Sequence, residues 1–86
     1  MDLESLLLHY FGTADLEALE ASALARGRDR LALDFGVERD PGRRFALWTL
    51  LGASGDAPSP DEAFEDPTLR QAAQAYLDAA WDLQRD

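Results

Sequence analysis

The chain predicts an all-α fold, a compact bundle of four to five short helices in a single domain spanning residues 1–86, and three observations carry that expectation. Only four residues are β-branched, Thr13, Val37, Thr49 and Thr68, and no stretch alternates apolar and polar residues with the period of two that a half-buried strand requires. Asp40-Pro41, Ser59-Pro60 and Asp66-Pro67 each place a good N-cap before a proline, whose fixed φ and missing N–H suit the first helical position. Hydrophobic residues make up 47% and charged residues 29%, too apolar for a disordered chain and too polar for a membrane span.

The first helix is expected from about Asp2 to Phe11, because Leu3, Leu6, Leu7, Tyr10 and Phe11 share one face, and Gly12 should stop it. Thr13 to Gly36 reads as helical throughout. One rod of that length would span ~33 Å, about the diameter of so small a domain, so a break is expected near Glu20 to Ser22. This leaves a short helix around Asp15 to Leu19 and a longer one from about Ala23 to Phe35. In the segment after Pro41, Phe45, Leu47, Trp48, Leu50 and Leu51 cover almost the whole circumference, with only Ala46 and Thr49 on the open arc. That pattern marks a central, nearly fully buried helix at about 41–52. Gly52 through Ser59 reads as the main loop, and Pro60 to about Phe64 as a single turn in which Ser59 and Glu62 complete a capping box. The amphipathic C-terminal helix, about 67–83, should face Leu69, Ala73, Tyr76, Leu77, Ala80 and Leu83 inward and Gln71, Gln74, Asp78, Asp82 and Arg85 outward, with Trp81 on the border. No internal repeat or sustained heptad is present.

Charge is uneven. Residues 1–25 carry five acids and no base, residues 26–44 six arginines against four acids, and residues 45–86 two arginines against eight acids, for a total of −9. Such a balance disfavours general affinity for nucleic acid or anionic membrane and favours a basic protein partner. The acidic start, Met1-Asp2-Leu3-Glu4, lacks the basic and apolar regions of a signal peptide, so a cytoplasmic location is expected, and the longest apolar runs fall far short of the ~20 residues that span a bilayer. Lysine, isoleucine, asparagine and cysteine are absent, while alanine and leucine supply fifteen residues each, a compositional bias that weakens any reading of arginine as chosen for its fork.

Catalytic, metal and cofactor chemistry finds no motif. Without cysteine and with only His9, expected on the outer side of the first helix, neither a zinc site nor a serine–histidine pair is on offer. The clusters Asp61-Glu62 and Glu65-Asp66 sit at helix starts, as dipole partners and caps, and match no calcium loop. Gly52-Ala53-Ser54-Gly55 follows a helix and leads into Asp56, which would repel a phosphate. We therefore expect no enzyme and no cofactor.

Two sets of residues remain. Arg28 falls within the arc of Leu24, Leu31 and Phe35, where an apolar residue belongs; its guanidinium is expected to meet a carboxylate or a helix C-terminus, and together with Arg43 and Arg44 it could form a small anion-receiving patch. Leu8, Leu33 and Trp81 point outward and, if the fold gathers them, make a dimer seam or docking patch. The favoured reading is a non-enzymatic interaction or regulatory module, with another protein or a second copy as partner. A helix-turn-helix-like nucleic-acid binder using Arg26, Arg28, Arg30, Arg43 and Arg44 is disfavoured by the charge. An acidic DNA mimic fits the charge better, and a ligand site would need a pocket between helices or at a dimer interface.

Overall fold

Helix α1, Leu3–Phe11, ends as the sequence predicts: Gly12 takes φ 75°, a left-handed conformation open to a residue without Cβ, and its N–H donates to Leu8 O at 2.9 Å. The computed structural model describes residues 3–55 and 57–84, the side chains of 81–84 excepted. The predicted break is present at Leu19 and Glu20. Leu16–Ala18 form one 3-10 turn, capped by the Asp15 carboxylate, which accepts from Glu17 N at 3.1 Å. Helix α2 then runs Ala21–Val37, so Ser22 lies inside it rather than in the break. Helices α3, Pro41–Ala53, α4, Pro60–Ala63, and α5, Pro67–Gln84, each begin at the expected proline. All described elements are helical, and the fold is an all-α bundle.

The caps divide. Asp40 accepts from Arg43 N at 2.8 Å and Asp66 from Thr68 N at 2.9 Å. The capping box of Ser59 and Glu62 does not form. The Glu62 N–H that the Ser59 hydroxyl should receive is taken instead by the Ser59 carbonyl at 3.0 Å, in the 3-10 manner of a helix only four residues long.

Helix α3 is central, packed on α2, α1 and α5, while α1 lies on α2 and α4 on α5. In its second half Leu47, Trp48, Thr49, Leu50 and Leu51 are buried and form an unbroken core run, before exposed Gly52 and Ala53. Each large side chain there contributes roughly 1.5–3 kcal/mol by leaving water. Thr49, expected on the open arc, is buried; its hydroxyl donates to Phe45 O at 3.0 Å, so its polar group is satisfied within the helix. The first half is not buried as the sequence pattern implied: Pro41 and Gly42 are exposed and Arg43 to Ala46 half-buried. Trp48, Phe64, Phe35, Phe45 and Tyr76 form a chain of ring contacts, and Trp48 Nε1 donates to Pro58 O at 2.8 Å, fastening the main loop to the core.

The molecule is a slab of 37 × 35 × 21 Å, about two helix diameters thick. That shape corrects the reading of α5. Ala73 is fully buried and Leu69 and Ala80 are half-buried, yet Tyr76 and Leu77, assigned to the inner face, are 44% and 38% exposed. An 18-residue helix of ~27 Å outlasts the 13-residue α3 on which it packs, so part of its apolar face has no neighbour. Leu83 falls outside the described side chains.

Candidate docking surface

The three arginines of the candidate anion patch do not converge. Arg28, half-buried on α2, donates through Nη2 to the carbonyl of Ser54, the C-cap of α3, as expected of a guanidinium facing a helix C-terminus. Its Nε is buried without a hydrogen-bond partner. Arg43 and Arg44 stand at the other end of α3, roughly 15 Å away along a helix of this length. Arg43 Nε pairs with Glu38 Oε1 at 2.5 Å, five residues before it in the chain.

Arg44 has a role the sequence did not disclose. Its Nε and Nη2 donate to Ala63 O at 3.1 and 2.7 Å, and its Nη1 to Phe35 O at 2.5 Å and Glu38 O at 3.3 Å. The guanidinium carbon also lies 4.0 Å from the centre of the Phe35 ring. One side chain thus ties together the C-terminal ends of α2 and α4, adding a second donor to Phe35 O, which also accepts from Glu38 N at 3.3 Å, and serving the end carbonyls of Glu38 and Ala63. A cleft of about 410 Å³ opens beside it, edged by Glu38, Glu62, Glu65 and Asp66. Among the described residues, no three carboxylates or histidines are grouped to hold a metal ion.

Tyr10 supplies a further buried polar link, donating to Asp34 Oδ2 at 2.6 Å across α1 and α2. Burial, then the Asp34 hydrogen bond and charge, push its phenol up to about 12. His9, as expected, is exposed on the outer side of α1.

Of the outward apolar residues, Leu8 is 50% and Leu33 73% exposed, as the sequence predicts, while the side chain of Trp81 lies outside the described residues. Val37, one turn beyond Leu33 at i+4, is more exposed still at 78%; the same helical spacing that found Leu33 would have found it. The larger opening lies elsewhere. A groove of about 580 Å³ runs between α1, α3 and α5, walled by Leu3, Phe45, Ala46, Thr49 and Tyr76, with Asp40, Gly42 and Arg43 at one end. Tyr76 projects at its edge, held by a 5.9 Å edge-to-face contact with Trp48. Sequence reasoning missed this groove because it counted Leu3, Phe45 and Tyr76 as core, and periodicity shows which residues share a face but not whether that face is covered.

The chain matches no known protein family, no curated protein sequence and no solved structure. No helix among the described residues is long and apolar enough to cross a membrane.

Proposed function

We propose that this chain is a non-enzymatic protein–protein interaction module whose contact surface is the groove between α1, α3 and α5. The observation that carries this reading is the groove itself, an apolar opening walled by Phe45 and Ala46 and bordered by exposed Leu3 and Tyr76 on a chain of only 86 residues. Exposed apolar side chains scattered singly need no explanation, but several around one concavity mark a place where a partner removes water. An aromatic ring at the edge is the side-chain type that dominates binding energy in such places. The nucleic-acid reading loses support, since Arg28 and Arg44 are held by carbonyls and α3, which a helix-turn-helix would present to a groove, is buried from Leu47 to Leu51.

The test is photochemical. With benzoylphenylalanine in place of Tyr76 in the cells that make the chain, irradiation is expected to give a discrete covalent adduct, competed away by the unsubstituted chain and absent when the label replaces exposed Glu62. No adduct from position 76, or equal labelling from both positions, would overturn the reading.

A further inference from the structure

We propose that the occupant of this surface is a second copy of the chain, the two packing groove to groove about a two-fold axis so that Tyr76 of each lies in the groove of the other. This rests on the interaction reading and names its partner.

Area is the first support. The chain exposes 5882 Å², whereas a compact monomer of 9.5 kDa exposes ~5050 Å². The excess, roughly 800 Å², is what each partner covers in an interface of standard size. It accords with the slab shape of 37 × 35 × 21 Å, which carries more surface than a sphere of the same volume.

Charge chooses the occupant. The flank of α5 that adjoins the groove carries Thr68, Ala72, Ala75, Tyr76 and Ala79, spaced at i, i+4, i+7, i+8 and i+11, all exposed and none charged. Two copies that each carry −9 repel one another over most of their surfaces and can meet only through a face without carboxylates. A basic partner, by contrast, needs carboxylates around the apolar centre. Among the described residues the groove offers one carboxylate, Asp40, already accepting from the N-terminus of α3, with the cationic Arg43 beside it.

Shape supplies the third support. A two-fold interface must be self-complementary, and a protruding ring next to an apolar hollow is a knob and hole on one surface. Alanines along the flank let the two α5 helices approach closely enough for each knob to reach the opposite hole.

Sedimentation equilibrium of the full chain from micromolar to millimolar concentration tests this. The expected result is a species of twice the 9.5 kDa chain mass. Ala72→Arg, which sets two cations against each other across the axis on an exposed helical position, should weaken association at least tenfold, about 1.4 kcal/mol, with helix content by circular dichroism unchanged. Leu33→Arg, on the outer face of α2, should leave it intact. Should Ala72→Arg lose its helix content, Leu3→Ser on the opposite wall gives the same reading. A chain that sediments at its own mass at every concentration overturns the two-fold pairing, as does a dimer that ignores both groove variants or is lost with Leu33→Arg. If the chain is monomeric while position 76 photolabels a different protein, the interaction reading stands and only the second copy falls. If position 76 labels nothing, both fall.

Discussion

Two adjoining residues on α3 look out on opposite kinds of surface. On one side, Arg44 reaches the carbonyls of Phe35, Glu38 and Ala63 and stacks on Phe35, so the cleft there is walled by a guanidinium with its hydrogen bonds made. On the other, Phe45 stands half-buried at the wall of an apolar groove, beside Tyr76 and Leu3. Arg44 thus has a structural role beside the charged cleft, whereas the groove presents an apolar wall. In a chain with so many carboxylates, a cation is the natural internal fastener for helix C-termini, and an uncharged face is the exception that calls for a partner.

The contrast makes its largest prediction at Arg44. Arg44→Ala leaves the Glu38 and Ala63 carbonyls to find water, strips Phe35 O of its second donor and removes the stacking on Phe35, and should lower the unfolding free energy by about 3 kcal/mol in urea titrations. Arg44→Lys keeps the charge but has no planar fork to bridge two helix ends, and should recover less than half of the loss. Near-complete recovery by lysine would mean that charge alone holds this cleft, and that the guanidinium is no specific fastener on this side of α3.

A second comparison sits on α2, between two glycines. A Cβ built at Gly27 would lie 2.4 Å from the Phe11 ring and 2.9 Å from Tyr10 O, whereas one at Gly36 meets nothing within 4 Å. Gly27→Ala should therefore cost about 2 kcal/mol, because α1 must back away along its whole length. Gly36→Ala should instead add about 0.5 kcal/mol by restricting the unfolded chain. Equal effects at the two positions, read from the same denaturation midpoints, would show that α1 is not seated on α2 as closely as this geometry requires.

The same α1–α2 junction predicts a dependence on pH. The Tyr10 phenol is raised from an ordinary value of 10.0 to about 12, so the folded chain holds its proton more tightly than the unfolded one. Its contribution to stability is complete below pH 10 and is lost as pH rises toward 12. Unfolding midpoints should fall across that window, and the phenolate absorbance of Tyr10 should appear only at its upper end. Tyr10→Phe should flatten the decline; an unchanged decline in that variant would assign it to other groups.

How much of this was legible in the sequence depends on whether a property is local. Helix starts at Pro41, Pro60 and Pro67 and the stop at Gly12 are set within three or four residues, and they stand where expected. Arg28 too was readable as a guanidinium turned to a helix C-terminus, since a charge within an apolar arc must find a partner. Arg44 was not, because its carbonyls belong to two other helices, and nothing in the spacing of Arg43-Arg44 says that the second turns inward. Tyr76 and Leu77 failed for the opposite reason. Their periodicity is that of a buried face, and only the lengths and placement of α3 and α5 decide that the face is left open.

The smallest predicted effect bears on that open face. Leu77→Ser on α5 and Leu33→Ser on α2 remove exposed leucines, 38% and 73% exposed, that the single chain does little to cover. At concentrations too low for association, Leu33→Ser should change stability by no more than about 0.5 kcal/mol and Leu77→Ser by about 1 kcal/mol at most. Leu47→Ala, at a residue with no exposure, should cost about 3 kcal/mol by comparison. If Leu77→Ser instead approached the Leu47 variant, α5 would be seated against the body over its second half, and its apolar flank would belong to the core rather than to an open face. If it stays small in dilute solution and grows as concentration rises, the leucine is buried by association, which is the behaviour that separates an interface from an incompletely packed surface.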